Sequence, residues 1–278
     1  MSSAPEGAAP GPRSAPLPLR AIRFRRPSRQ ASIPPLRGLL PLVLALVVWQ
    51  LLSHGQSAYF PRPSLWWEGI EHEWQSGALK PAIEATLKSF VLALVIATVL
   101  GTALGILIGR ARRVDRALGP FLEFCRFLPA AAVVPIAVLA AGYTEQMKIF
   151  VVVFAAIWPI LLQVRSAMRT QSPLLLDVAK SLHLGRARTL LQMILPSLAP
   201  SIMLGLRVAA PIVLVVVLLV EIVTQVPGLG SLISTAQRTF DAATAYGLLA
   251  IVGVIGIGVN ALLAGLEGWL LRYRPDGS

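Results

Sequence analysis

Six apolar stretches alternate with polar segments along this chain. Five of them carry no charged residue, and the two longest of these are Ser89–Gly109 with 21 residues and Ala242–Leu266 with 25. A helix needs about 20 apolar residues to cross a hydrocarbon layer of roughly 30 Å. The pattern therefore predicts an all-α integral membrane protein with six transmembrane helices. The other four stretches are Leu39–Leu52, Phe127–Thr144, Ile149–Val164 and Leu198–Val223.

A few residues within these stretches are unusual for a helix that faces lipid. Pro129 and Pro135 each remove a helix hydrogen bond, so the third span is predicted to be kinked. Charges inside a span are costly unless they face protein or water, which makes Arg207 and Glu221 functional candidates. For Arg207 we favour a structural role over substrate contact, whereas both roles stay open for Glu221.

Three glycines recur at four-residue spacing in the second span. Gly101, Gly105 and Gly109 lie on one side of a helix, where the missing side chains let another helix approach closely. Unrelated glycines would rarely fall in register three times. The spacing therefore predicts a helix-packing face.

A polar segment, 172–196, separates the fourth and fifth spans. Ser172 followed by Pro173 is typical of a helix N-cap with proline at the first helical position. Apolar residues then recur at helical spacing, and Gly185 is predicted to supply a left-handed helix end. The segment is thus predicted to be an amphipathic, basic helix–turn–helix outside the membrane. Its apolar face comprises Leu175, Leu176, Ala179, Leu182 and His183, while Asp177, Lys180 and Ser181 point elsewhere.

The composition agrees with a bilayer protein, because 55% of the 278 residues are hydrophobic and the mean hydropathy is +0.71. A net charge of +12 could indicate nucleic-acid binding. However, the basic residues form short clusters between apolar stretches and have no stacking aromatics beside them. We therefore expect contact with membrane lipid and no nucleic-acid partner.

No cofactor or metal is expected on this chain. Cys125 is the single cysteine, and the three histidines are far apart in sequence. The sequence contains no Gly-x-x-x-x-Gly-Lys-Ser/Thr phosphate loop, so ATP and Mg²⁺ would have to bind a partner subunit.

Residues 1–37 are rich in proline, serine and arginine and are predicted to form a disordered cytoplasmic tail, with the membrane domain at 38–275. A cleaved signal peptide is the alternative for the first apolar stretch. We favour an uncleaved span, because Ser53-His54-Gly55 is a poor cleavage site.

The distribution of basic residues predicts the orientation. If the N-terminus is cytoplasmic, 18 basic residues lie on the cytoplasmic side and 5 on the opposite side. This asymmetry satisfies the positive-inside rule and places both termini and segment 172–196 in the cytoplasm. The five residues on the opposite side are Arg62, Lys80, Lys88, Lys148 and Arg238.

Segment 172–196 resembles the EAA loop of ABC importer permeases. An acidic residue and an alanine are followed by a glycine and, after a further gap, by Leu-Pro. The chain departs from the family pattern by having Asp177 for glutamate and Val178 for the first alanine. In that family the loop is a coupling helix that docks into a groove on the cytoplasmic ATPase, which implies the same role here. The implied coupling residues are Asp177, Ala179, Lys180, Leu182, Gly185, Leu195 and Pro196.

Further residues resemble the nitrate, sulfonate and taurine branch of these permeases. Phe60–Ser64, Ser76-Gly77 and Thr86-Leu87 match that branch. An Arg-x-x-Pro signature opens the third span, and Pro227–Ile233 resembles the re-entrant helix that closes the outer side of the pore. The pore or gate candidates that the resemblance implies are Arg126, Pro129, Arg207, Glu221, Gly228 and Gly230.

The resemblance implies a type I ABC importer permease-like subunit in the bacterial plasma membrane, and not an enzyme. Such subunits pair about a two-fold axis, and each forms half of the pore. They sit on two ATPase subunits and receive substrate from an extracytoplasmic solute-binding protein. The implied substrate is a small anion such as a sulfonate, taurine or nitrate, with a small heterocycle such as a vitamin precursor as the alternative.

Two other classes fit less well. A secondary transporter or channel predicts midplane ionisable pairs and an internal repeat, and neither is evident in the sequence. An intramembrane enzyme needs a nucleophile–base or metal constellation on facing spans, but the histidines lie outside the uncharged stretches. Co-purification of an ATPase subunit would separate the importer from both.

Overall fold

The computed structural model describes residues 35–53 and 59–270, and all regular secondary structure in these residues is helical. The chain divides into two units after Val47. The predicted disorder of residues 1–34 lies outside the described residues, whereas residues 35–37 belong to the first helix. The helices before the polar segment are α1 Pro35–Leu52, α2 Pro63–Gln75, α3 Leu79–Arg110, α4 Arg112–Phe127, α5 Ala130–Ala141 and α6 Glu145–Arg169. They are followed by α7 Pro173–Ser181, α8 Arg186–Thr189, a π-helical turn Leu190–Ile194, α9 Leu195–Thr224, α10 Leu229–Arg238 and α11 Ala242–Leu270.

Within the described residues, four helices are each long and apolar enough to cross a membrane: α3, α6, α11 and the continuous helix Arg186–Thr224 that contains α9. They confirm four of the predicted spans. Each helix extends past its apolar stretch, since terminal turns can carry charged residues; α3, for example, begins at Leu79 and includes Lys80 and Lys88. The first predicted span corresponds to α1, whose part Leu40–Leu52 is an apolar helix shorter than these four. The total of six spans therefore stays a prediction.

The prediction that prolines bend the third span is confirmed at Pro129, but the bend is a break between two helices, which together are long and apolar enough for one span. Two helices, α4 and α5, meet there at 90°. Pro129 has no N–H to continue α4, and the residue before a proline is driven to an extended conformation, as Leu128 is here (φ −66°, ψ 118°). With 12 residues, α5 is about 18 Å long, too short to cross the hydrocarbon layer alone. Pro135, by contrast, lies inside α5 without ending it.

Helix α6 is the centre of the larger unit, because α3 and α9 both pack along it. The three glycines of α3 face α6: a Cβ built on Gly105 would lie 2.8 Å from the Cβ of Val164, and one on Gly109 would lie 2.8 Å from the Cβ of Met168. On the other side, a Cβ on Gly205 of α9 would lie 2.8 Å from the Cα of Ile160. The small residues therefore set the distance between these spans.

An aromatic cluster packs against the N-terminal end of α11. Trp66 of α2 stacks on Tyr246 of α11 with ring centroids 5.6 Å apart, and Trp49 meets both rings edge-on at 5.3 Å. A Cβ on Gly247 would lie 2.7 Å from the Trp66 carbonyl oxygen, so α2 and α11 are in close backbone contact.

Candidate functional site

The polar segment begins as the sequence predicts. Ser172 is the N-cap residue of α7 (φ −64°, ψ 129°), and Pro173 takes the first helical position. The predicted capping hydrogen bond is absent, since the Ser172 side chain accepts none from the described residues of α7. Proline at the first position already removes one donor that would need a partner.

Gly185 does not adopt the predicted left-handed conformation. Its backbone is extended (φ −62°, ψ 158°), and it is instead the N-cap residue of α8. Because α7 ends at Ser181, the left-handed position after the helix falls two residues earlier, on His183 (φ 50°). The Leu184 N–H donates to the Ala179 carbonyl at 3.0 Å and closes this helix end.

The prediction for the two sides of α7 is confirmed in part, since Leu182 and His183 of the predicted apolar face are exposed. Ala179 is 4% exposed and Leu175 is partly buried in the core, so this side packs on the chain itself. Among the described side chains of this segment, the large apolar ones that are exposed are Leu174, Val178 and Leu182, which follow one another at four-residue spacing. We call these three residues the α7 stripe. A bulky charged residue at Ala179 would consequently disturb the packing of α7 and would not isolate a docking defect.

Two interactions connect this segment with its surroundings. Lys180 forms an exposed ion pair with Asp177 at 3.0 Å, within α7. Before α7, Gln171 donates to the Ser197 hydroxyl at 2.6 Å, which joins the end of α6 to the start of α9. Leu195 and Pro196 are the first two residues of α9, where a proline costs little because the preceding π-helical turn already changes the hydrogen-bond register.

A buried polar cluster lies where α3, α6, α9 and α10 meet. We call Thr86, Lys148 and Glu221 the Glu221 network. All three residues are fully buried, with an exposed fraction of 0%. The Lys148 ammonium lies 3.2 Å from one carboxylate oxygen of Glu221, and the Thr86 hydroxyl donates to the other at 2.9 Å. A carboxylate at zero exposure requires such partners, because an unpaired buried charge is strongly destabilising.

The Glu221 network holds the N-terminus of α10. The Gly230 N–H donates to the Glu221 carboxylate at 3.0 Å, and the Leu229 N–H donates to the Thr86 hydroxyl at 2.8 Å. On the other side, Lys148 donates to the Pro227 carbonyl at 3.1 Å. The negative charge of Glu221 thus binds the Gly230 amide in the first turn of α10, where the helix dipole favours it.

Only glycine fits at positions 228 and 230, because Glu221 lies so close to both. A Cβ on Gly228 would collide with the Glu221 carboxylate, and one on Gly230 would lie 2.5 Å from the Leu218 carbonyl oxygen. The resemblance singled out Glu221 and both glycines, and the structure brings the three together. Sequence reasoning missed Lys148, which it assigned to the outer side as an ordinary loop charge. Its position three residues after Glu145, with which it also pairs at 3.1 Å, was an available signal.

The remaining candidates lie elsewhere. Arg207 pairs with Glu267 of α11 at 2.8 Å, which gives it a structural partner that the sequence reading had not named. Arg126 and Pro129 lie at the junction of α4 and α5, beside a cavity of about 550 Å³. The cavity is bounded by Arg126, Leu128, Ala130, Ala155, Trp158, Pro159, Leu162, Gln163, Val208, Ile212 and Val216.

Helix α4 is held at its other end by acid–base contacts. Asp115 of α4 bonds to the Arg165 guanidinium and lies 3.2 Å from that of Arg169, both on α6. Within residues 35–53 and 59–270, no group of three or more histidine, cysteine or acidic side chains is arranged to hold a metal ion.

Comparison with known proteins agrees with this arrangement. The family model of the binding-protein-dependent transport system inner membrane component matches residues 97–272, more than half of the chain. The match includes the α3 glycines, the bend between α4 and α5, the polar segment and the Glu221 network, apart from Thr86.

Curated permeases match over most of their length. The bicarbonate transport system permease protein CmpB of Synechococcus elongatus is 28% identical over 86% of this chain and 89% of its own. The nitrate import permease protein NrtB of Leptolyngbya laminosa is 29% identical over 87% and 90%. A Bacillus subtilis protein provisionally named as an aliphatic sulfonates transport permease, SsuC, is 25% identical over 86% and 88%. The chain therefore belongs to the family of binding-protein-dependent transport system inner membrane components, the permease subunits of ABC transporters.

Proposed function

We propose that this chain forms half of the translocation pathway of an ABC importer for a small anion. The observation that carries the substrate class is that the named relatives, which match over nearly their whole length, transport bicarbonate, nitrate or, provisionally, aliphatic sulfonates. These substrates share one negative charge and a compact group of oxygen atoms.

The energy for transport comes from a partner. Two ATP-binding subunits hold ATP and Mg²⁺, and each docks on α7 of one permease copy. The α7 stripe supports this assignment, because Leu174 and Leu182 are 68% and 63% exposed in a segment between two spans. An apolar stripe at four-residue spacing is the surface that an amphipathic helix presents to a groove.

The same proposal includes a second permease copy and a solute-binding protein on the opposite face. Exposed side chains on α4 and α5, among them Phe121, Phe124 and Leu139, offer apolar surface to a second copy or to lipid. Orientation follows from the basic residues, with α7 and both termini in the cytoplasm of a bacterium and the solute-binding protein outside its plasma membrane.

Coupling then works through rigid helices. When the ATPase subunits close, they displace α7. The displacement reaches α6 directly along the chain and reaches α9 through α8 and through the Gln171–Ser197 hydrogen bond. Because packed helices move as bodies between discrete arrangements, the result is a switch between two states of the pathway.

The test is ATP-driven uptake by the permease reconstituted with its ATPase and solute-binding protein. Nitrate, bicarbonate and methanesulfonate are offered separately, and at least one is expected to accumulate only when ATP is present. Leu182→Asp in the α7 stripe should remove most ATPase from the purified complex and abolish uptake. Trp74→Asp, an equal change at an exposed site on α2, should keep the ATPase bound. Uptake of none of the three anions by the wild type would refute the substrate class, and full ATPase recovery with Leu182→Asp would refute the coupling surface.

A further inference from the structure

The polar side chains that line the cavity at the junction of α4 and α5 all carry hydrogen-bond donors, and only the Gln163 amide also carries an acceptor. Arg126, Trp158 and Gln163 line it together with apolar residues, and no carboxylate does. It lies midway along two spans, beside residues 155–163 of α6 and 208–216 of α9. This depth is where transporters bind their substrates.

Two of these donors have no partner in the described parts of the chain. The indole N–H of Trp158 is fully buried and makes no hydrogen bond there. The Gln163 side chain, which is half-buried, likewise makes none with the described residues. Buried donors in folded proteins are nearly always satisfied, so the Trp158 N–H needs an acceptor that the described residues do not supply, either ordered water or a bound species.

The charge of Arg126 is also uncompensated. Arg165 and Arg207 each pair with a carboxylate, Asp115 and Glu267 respectively. Arg126 instead lies over the Phe127 ring, 5.0 Å from its centroid, and pairs with no carboxylate among the described residues. The Arg126 side chain is exposed, and charged residues within membrane spans almost always face a water-filled cavity or the protein interior, which makes Arg126 a functional candidate.

We propose that this cavity is an anion half-site in the translocation pathway, with Arg126 binding the charge and the N–H groups of Trp158 and Gln163 binding oxygen atoms of the anion. Ala130, the first residue of α5, also borders the cavity, and a helix N-terminus there favours negative charge. Val208, Ile212 and Val216 form an apolar wall that keeps the contacts few, so the anion can also leave. The inference rests on the proposed function and assigns its substrate contacts.

The test measures anion binding by the permease–ATPase complex in lipid nanodiscs, without the solute-binding protein. The thermal midpoint is followed against nitrate, bicarbonate or methanesulfonate, with gluconate keeping the ionic strength constant. At least one of the three should raise the midpoint in a saturable manner, since a ligand of the folded state stabilises it. Arg126→Gln should weaken that binding by about tenfold or more, and Trp158→Phe, which keeps a ring but loses the N–H, by about fivefold.

Arg113→Gln is the matched control, because it removes the same charge from the same helix at an exposed position that does not line the cavity. It should bind the anion as the wild type does. Arg126→Lys, which keeps the charge without the planar fork, should bind with intermediate affinity. The half-site is refuted if no anion shifts the midpoint, or if Arg126→Gln and Trp158→Phe bind as tightly as Arg113→Gln. Such a result alongside normal ATP-driven anion uptake would leave the proposed function intact.

Discussion

At the scale of single residues, a charge that interrupts an apolar stretch is visible in the sequence, whereas a buried charge at the edge of a stretch is visible only in the structure. Sequence reasoning could find Arg207 and Glu221 because each interrupts an apolar stretch. It missed Lys148, which follows Glu145 and Gln146 at the edge of a stretch and resembles a loop residue; its spacing from Glu145 indicates an ion pair but not burial. Only packing shows that Lys148 is 0% exposed and opposite Glu221.

The Glu221 network predicts unequal effects of its two charge deletions. Lys148→Met leaves the Glu221 carboxylate buried without a cation, which should cost about 3–5 kcal/mol. Glu221→Gln keeps the side-chain shape, and Lys148 keeps its pair with Glu145, so the loss should be smaller. The measurement is thermal unfolding of the purified permease.

The double variant Lys148→Met/Glu221→Gln is the control for this asymmetry. It removes both charges and should be more stable than Lys148→Met alone. Equal losses from the two single changes, with no recovery in the double variant, would contradict the pairing.

The end of α7 gives a second residue-scale prediction. His183 holds a left-handed backbone, where a β-branched side chain is strained by roughly 1–2 kcal/mol, whereas Gly185 is extended and a Cβ there would have open space. His183→Val should therefore speed hydrogen exchange of the α7 amides by about tenfold, and Gly185→Val should leave it unchanged. Faster exchange with Gly185→Val and not with His183→Val would contradict this assignment and support a left-handed helix end at Gly185, as predicted from the sequence.

At the scale of elements, length and hydropathy predicted the long spans, because a spanning helix needs little beyond an apolar run. The α4–α5 bend was underestimated. A proline in an apolar run is compatible with a kink or with a break, and tertiary contacts such as that of Asp115 with Arg165 decide between them. The sequence also did not determine which side of α7 packs against the rest of the chain. Leu174 and Leu175 are equally apolar, and only the contacts of α7 show that Leu175 is the one that is partly buried.

The α3–α6 interface predicts a large effect from a single methyl group. Gly105→Ala would place a Cβ 2.8 Å from the Cβ of Val164, so the two helices must separate, at a cost of about 1–3 kcal/mol. Gly258→Ala in α11 has open space and should be neutral or slightly stabilising, because alanine favours a helix. Thermal unfolding compares the two, and equal midpoints would show that α3 and α6 are not closely packed at Gly105.

At the scale of the whole molecule, the orientation in the membrane remains a prediction from the basic residues. One of the five charges assigned to the outer side, Lys148, is buried in the Glu221 network and leaves the asymmetry larger than the sequence count.

Labelling with an impermeant thiol reagent tests this orientation in intact cells, in a background that carries Cys125→Ala. Single cysteines at Trp67 and Gln146 should react, because both residues are exposed and lie on the outer side in the predicted topology. A cysteine at Lys180 should react only after the cells are opened. Labelling of position 180 in intact cells would invert the topology and remove α7 from the ATPase side.

The attachment of α10 has a mechanical consequence. Three spans hold the N-terminus of α10 through the Glu221 network: α3 contributes Thr86, α6 contributes Lys148 and α9 contributes Glu221. Sliding α10 aside would remove the Gly230 amide from the buried Glu221 carboxylate, a penalty far above thermal energy. We therefore expect α10 to travel with α3, α6 and α9 as one block. A passage for the anion would then open along the seam between two such blocks, rather than through the interior of either.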